Sequence, residues 1–381
     1  MSLPVRPTHL VVNLAQLRRN VQAIRARVSP ARVMLMLKAN AYGHGVEGVA
    51  PYLEPDLDYI GVATVEEGIH LRQIGIRKPI LVVGGTLPGQ VAAYLEFDLT
   101  LTIGTPEILQ VAEALSDSAG RKIKAHLKID TGMSRVGVPW DEAEAFLEQS
   151  LSCAHLEIEG IYTHFANADV PETELMPRRE SFAYASQQLE RFRQVLSFYP
   201  RRGLPYPALR HAANSGAILN LPESYFDMVR PGLLFYGVYP EGCPRPVAVE
   251  PALTWKSQVV QSKIVPAGRP VSYGSLWAPE ADARVVTIPC GYADGYFRRM
   301  TNQAQVIVAG RKYPQVGRVC MDQFMASLGA DSASLGDEVI LLGRSGAETI
   351  APEDLAEWAG TATYEVLTNI SARVPRVFVE E

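Results

Sequence analysis

Eight short apolar runs recur between residues 33 and 230, most of them separated by helical patterns. They are 33–37 (VMLML), 59–63, 80–84, 99–103, 123–129, 157–165, 208–213 and 227–230. The first helix opens at Asn13, a good N-cap, and carries Leu14, Leu17, Val21, Ile24 and Val28 at 3–4 spacing. Others span 64–75, stopped by Gly75, then 105–117 behind Thr105-Pro106, and 174–199. Eight strands alternating with helices are the count of a (β/α)8 barrel. Near-continuous apolar strands suit a parallel sheet covered on both faces. The seventh and eighth runs are the weakest, being short and polar. The rival is an open doubly wound sheet, but neither G-x-G-x-x-G nor GxxxxGK[ST] occurs.

The texture changes after Tyr236-Gly237. A proline-rich stretch, 238–251, reads as a linker. Strand patterns follow at 253–265, 284–289, 304–309, 313–320, 324–328 and 337–343. Short helices at 352–359 and 364–371 precede a last strand, 374–379. The expectation is an α/β fold: an N-terminal (β/α)8 TIM-type barrel over 1–240 and a mainly β C-terminal domain over 241–381. Hydrophobic residues are 47% and charged ones 20%, which excludes a disordered chain. A net charge of −5 gives no electrostatic footprint for nucleic acid or an anionic membrane. No run reaches the ~18 apolar residues of a membrane span, and residues 1–10 lack a signal-peptide core. The cysteines are scattered, without C-x-x-C, so structural zinc is not expected and a cytoplasmic location is.

Functional groups of such barrels stand at the C-terminal ends of strands. The first run ends at Lys38, which is either a solvated end residue or an amine tuned for Schiff-base work. The fifth ends at Lys128 and Asp130, with Arg135 beyond. The sixth ends at Thr163-His164-Phe165, the seventh at His211 with Asn214-Ser215-Gly216, and the eighth at Arg230-Pro231-Gly232. Phosphate is often held by the loops after strands 7 and 8, near a helix N-terminus. Asn214-Ser215-Gly216 and Gly232-Leu233 fit that role, although each also reads as an ordinary turn. Together, a strand-end lysine and a phosphate cradle suggest a phosphorylated aldehyde bound to the amine, namely pyridoxal 5′-phosphate. In the second domain, tyrosines beside glycines (Tyr273, Tyr292) are by themselves more often packing or turn residues.

These stretches resemble alanine racemases nearly end to end. The motifs are KANAYGHG at 38–45, HLKIDTGMSRVG at 126–137, YTHFANAD at 162–169, HAANSGA at 211–217 and MVRPGLLFYG at 228–237. They continue as VSYG at 271–274, CGYADGYFRR at 290–299, VGRVCMDQ at 316–323 and ARVPR at 372–376. The resemblance implies interconversion of L- and D-alanine with pyridoxal phosphate, supplying D-alanine for bacterial peptidoglycan. It implies Lys38 as cofactor carrier and one base, and Tyr273 as the other, reaching in from the partner subunit of a homodimer. Arg230 would face the pyridine nitrogen, with His164 bridging Arg230 and Tyr273. Tyr42, Ser215, Gly232, Leu233 and Tyr364 would hold the phosphate, with Asn214 nearby. Arg135 and the Met321 backbone would bind the substrate carboxylate, Lys128 would be carbamylated, and Tyr292 and Tyr364 would narrow the entrance.

Inverting an α-carbon needs a proton removed from one face and returned to the other, so two opposed bases suffice. Arg230 never gives up its proton, which would leave the ring nitrogen unprotonated and restrain side reactions. Two departures stand out: Ser134 where glycine is common, and a linker shorter than in some relatives. A broader-specificity amino-acid racemase of the same fold group is the alternative. A non-catalytic pyridoxal-phosphate carrier would match the barrel alone.

Overall fold

The computed structural model describes residues 5–169 and 178–381. The chain divides into two compact units. One comprises Leu17–Ala41 and Val46–Glu250; the other comprises Met1–Gln16, Tyr42–Gly45 and Pro251–Glu381. The opening strand, β1 (His9–Asn13), therefore lies outside the barrel unit, although residues from 1 onward were expected within it. It pairs antiparallel with Leu253–Gln258 and parallel with Arg376–Val379. Leu10 and Val12 are fully buried on its one apolar face. Five alternating residues ahead of a strong helix carry too little pattern to show which sheet they join.

All eight apolar runs form strands: β2 (Arg32–Met36), β3 (Tyr59–Val62), β4 (Ile80–Val82), β5 (Leu101–Ile103), β6 (Ile123–Asp130), β7 (Leu156–Tyr162), β8 (Leu209–His211) and β9 (Met228–Val229). They pair in parallel in the order β4-β3-β2-β9-β8-β7-β6-β5. A parallel bridge from Leu81 to Thr100 joins the two ends and closes the barrel. Val33, Leu35, Ile60, Leu81, Leu101 and Leu127 are all fully buried. That is what strands covered on both faces require. The shortest strand is β9, with two residues, and β8 has three, as do β4 and β5; β8 and β9 are the two whose sequence signal was weakest.

The helix starts obey their caps. Asn13 Oδ1 accepts the Gln16 N–H at 2.9 Å. Thr64 and Glu67 form a reciprocal capping box before Val65–Gln73, and Thr105 caps Pro106–Ala119. The helix expected over 174–199 is seen from Arg178 to Leu196, its first expected residues lying outside the described ones.

The second unit is mainly β, as expected, with short helices at Pro352–Ala359 and Thr363–Thr368. Its core includes Trp255, Tyr296 and Phe324, all fully or nearly fully buried; Tyr296 stacks on Phe324 at 4.4 Å. Among the described residues, no helix is long and apolar enough to cross a membrane.

One barrel glycine bears directly on function. A Cβ on Gly160 in β7 would lie 2.5 Å from Nδ1 of His126, so glycine makes room for a buried imidazole on the neighbouring strand. Gly160→Ala should therefore destabilise the protein by roughly 1–3 kcal/mol through overpacking. A shift of the urea midpoint without a change in slope would register it.

Candidate active site

Lys38 stands just past β2, at the start of an unusual turn. Ala39, Asn40, Ala41 and Tyr42 all have left-handed backbones, with φ of 52°, 54°, 53° and 50°. Each such non-glycine residue costs about 1–2 kcal/mol, so something must hold the turn. Ala41 N–H donates to Leu37 O at 2.9 Å. Val46 N–H donates to Asn40 Oδ1 at 2.8 Å. The Glu67 carboxylate takes the Ala39 N–H at 2.6 Å on one oxygen and the Ala63 N–H at 2.7 Å on the other. Glu67 thus ties the end of β2 to the end of β3. Sequence reasoning missed this residue, because a carboxylate in the first turn of a helix carries no mark of which strand end it will meet.

Positive charge dominates the barrel interior beyond Lys38. Burial, reinforced by Arg135, lowers the pKa of the Lys38 amine, with Glu67 opposing. Lys128 is buried 4.2 Å over the Tyr162 ring. Burial, then Arg230 and Arg135, hold its pKa well below that of an ordinary lysine. Arg230 is only 4% exposed. It donates to Thr163 O and Ala212 O, both at 2.8 Å, to His211 Nδ1 at 2.7 Å and to His164 Nδ1 at 3.3 Å. Among the described residues, no carboxylate pairs directly with it. Burial lowers its pKa to about 10, which still leaves it charged. Burial and the charges of Arg230, Lys128, Arg135 and Lys38 keep His164 neutral. His211, which stacks on Tyr162 at 4.6 Å, is kept neutral by burial and by Arg230.

The loops after β8 and β9 meet at Ser215. Its hydroxyl accepts the N–H groups of Gly232 at 2.9 Å and Leu234 at 3.3 Å. Asn214 caps the following helix through its side-chain oxygen, 3.0 Å from Ala217 N. A Cβ on Gly216 would meet Asp169 N at 2.6 Å, so only glycine fits there. Arg135 follows Ser134, whose φ of 56° explains why glycine suits that position.

The remaining expected residues belong to the other unit. Tyr42 and Tyr364 come together with ring centroids 6.2 Å apart. Burial raises the Tyr42 hydroxyl to about 12. Tyr292 and Met321 are likewise adjacent: Tyr292 N–H bonds Cys320 O at 3.1 Å, and Ala293 N–H bonds Met321 O at 3.0 Å. Gly291 permits this approach, since a Cβ there would lie 2.3 Å from Met321 O. Tyr273 is 71% exposed on a turn where Ser272, Gly274 and Ser275 all have positive φ. Ser272 Oγ anchors that turn on Arg318 O at 2.7 Å.

Comparison with known proteins places this arrangement. The model of the alanine racemase N-terminal domain matches residues 12–240, and that of the C-terminal domain matches 252–378. The chain belongs to the alanine racemase family. The alanine racemase of Carboxydothermus hydrogenoformans is 42% identical over 379 residues, covering 98% of this chain and 100% of the relative. The crystal structure of the Bacillus anthracis alanine racemase with bound L-Ala-P is 36% identical, with a TM-score of 0.89, covering 100% of this chain and 96% of that one. A histidine racemase from Leuconostoc mesenteroides shares the fold at 28% identity and a TM-score of 0.88, with both chains fully covered.

The charge pattern sets a pH expectation for the Lys38 amine. In protein stripped of bound carbonyl compounds, Lys38 should become reactive at a lower pH than the exposed lysines. Arg135→Ala removes a repelling cation, so the midpoint of Lys38 labelling should move up in pH. Reductive methylation read by peptide mass spectrometry checks both. A midpoint unmoved by Arg135→Ala would show that burial alone lowers the amine.

Proposed function

We propose that this protein interconverts L- and D-alanine with pyridoxal 5′-phosphate, as a cytoplasmic homodimer supplying D-alanine for peptidoglycan. The observation that carries the reading is the donor set of the barrel. A buried guanidinium with no carboxylate in contact among the described residues, a lysine with a depressed pKa and a hydroxyl joining two loop backbones suit an anionic, carbonyl-bearing ring with an unprotonated nitrogen. When bound, that cofactor withdraws electrons from the substrate and acidifies its α-proton.

The chain supplies the rest. Lys38, whose pKa burial and Arg135 lower, would carry the cofactor's aldehyde and move a proton at Nζ on one face. Tyr273 serves the other face through its hydroxyl. Arg230 is donor-only, so it would take a ring nitrogen as acceptor and give it no proton. His164 accepts from Arg230 and links it to Tyr273. Ser215, Gly232, Leu233, Tyr42 and Tyr364 hold the phosphate, and Asn214 sets the loop. Arg135 and the Met321 backbone receive the substrate carboxylate.

Lys128 is the carbamylation site in this reading. Its neutral amine attacks carbon dioxide, a C–N bond forms and one proton leaves. A buried neutral amine becomes an anion able to pair with Arg135. Tyr292 and Tyr364 narrow the entrance, which favours a methyl side chain. The similarity to a histidine racemase makes substrate range the quantity to measure. Circular dichroism with each L-amino acid should show alanine as the main substrate, and Lys38→Ala should abolish the signal. A larger amino acid racemised faster than alanine would favour the broader-specificity alternative.

A shared site makes a second expectation. If Tyr273 acts on the partner's Lys38 site, co-expressed Lys38→Ala and Tyr273→Phe chains give heterodimers with one doubly defective and one intact site. With random pairing about half the dimers are mixed, so roughly a quarter of all sites regain activity. Doubly tagged heterodimer with background activity only would reject the shared site.

A further inference from the structure

The buried Arg230 guanidinium begins a hydrogen-bonded chain that continues far from the proposed reaction centre. Arg230 NH1 meets His211 Nδ1 at 2.7 Å. His211 Nε2 lies 2.8 Å from His126 Nδ1. His126 Nε2 lies 3.2 Å from Glu159 Oε1. Tyr59 donates its hydroxyl to the same carboxylate and lies 2.6 Å from Thr100 Oγ1. Both histidines are fully buried, whereas the Glu159 side chain is 21% exposed. The links come from the end of β8, the middle of β6, the middle of β7 and the start of β3, so the chain threads the barrel.

The ends of this chain fix every direction within it. Arginine has no acceptor, so His211 must accept at Nδ1 and, being neutral, carry its proton on Nε2. That proton can only be donated to His126 Nδ1, which leaves the His126 proton on Nε2, aimed at Glu159. An ionised carboxylate accepts and never donates, so the polarity closes without conflict. Titration tendencies agree. Burial pushes both imidazoles toward the neutral form. Burial also pushes Glu159 up, but hydrogen bonds from His126 and Tyr59 outweigh it and hold the carboxylate below its usual range.

We propose that Glu159 is a positioning residue for Arg230, fixing the tautomers of His126 and His211 and, through them, the orientation of the guanidinium. The catalytic half of this statement rests on the proposed reading of Arg230 as the partner of the ring nitrogen; the tautomer half does not. Without the carboxylate, His126 loses the charged acceptor at Nε2, and the opposite tautomer of His211 would present an N–H to Arg230. Neighbouring donors of that kind repel, so the guanidinium loses a fixed contact.

The test uses holoenzyme labelled with 15N-histidine. Wild type should show His126 and His211 as neutral Nε2–H tautomers, assigned by single substitutions. Glu159→Gln should give mixed tautomers at His211, a shifted cofactor absorbance and a kcat lower by about tenfold, with KM changed less. His126→Gln, whose amide can accept from His211 and donate to Glu159, should keep the wild-type His211 signal; His126→Leu should lose it. This pair decides the matter even where Glu159→Gln fails to fold. A wild-type His211 carrying its proton on Nδ1, or a Glu159→Gln protein with unchanged tautomer and kcat, would overturn the proposal. Altered tautomers in a protein whose wild type racemises nothing would sink the catalytic reading while leaving the chain of bonds standing.

Discussion

Concentrated positive charge in a low-dielectric interior is the constraint on which the rest of the site depends. Lys38, Lys128, Arg135 and Arg230 all act on one imidazole, His164. The pKa values of both lysines fall in response, Lys128's well below the ordinary lysine value, whereas a guanidinium at about 10 keeps its proton at neutral pH. Two fixed cations, Arg135 and Arg230, therefore remain beside amines whose charged form is disfavoured. That asymmetry suits the roles proposed for three groups: proton transfer at Lys38, reaction with carbon dioxide at Lys128 and, at Arg230, a donor that is no general acid. Replacing Arg230 by a titratable group would change all three together.

The alternation of apolar runs made the barrel legible, because parallel strands covered on both faces cannot hide their composition. β1 was not legible: its pairing depends on strands more than 240 residues away, Leu253–Gln258 and Arg376–Val379. Nor was the left-handed turn at 39–42, since Ala-Asn-Ala-Tyr carries no glycine to mark positive φ. Strand-end position and motif resemblance brought out Lys38, Arg230 and Ser215. His126 and Glu159 were passed over because they sit in mid-strand, where polar residues interrupt an apolar pattern and suggest only a weaker strand. Their meaning lies in which strands are neighbours, and that is a property of the closed sheet.

The two proposed bases share a physical circumstance. Lys38 adjoins four consecutive left-handed residues, and Tyr273 is flanked by three residues of positive φ. In each case bonds within the same unit hold the unfavourable backbone: Glu67 and Asn40 for the first, Ser272 on Arg318 for the second. Each group is thus made rigid locally, before the other is met. A base held this way does not depend on induced fit for its aim, and proton transfer rewards that, because a misplacement of about 1 Å costs orders of magnitude in rate. The strained turns are then better understood as aiming devices than as imperfections. Their cost, several kcal/mol in all, is offset by the hydrogen bonds that pin them.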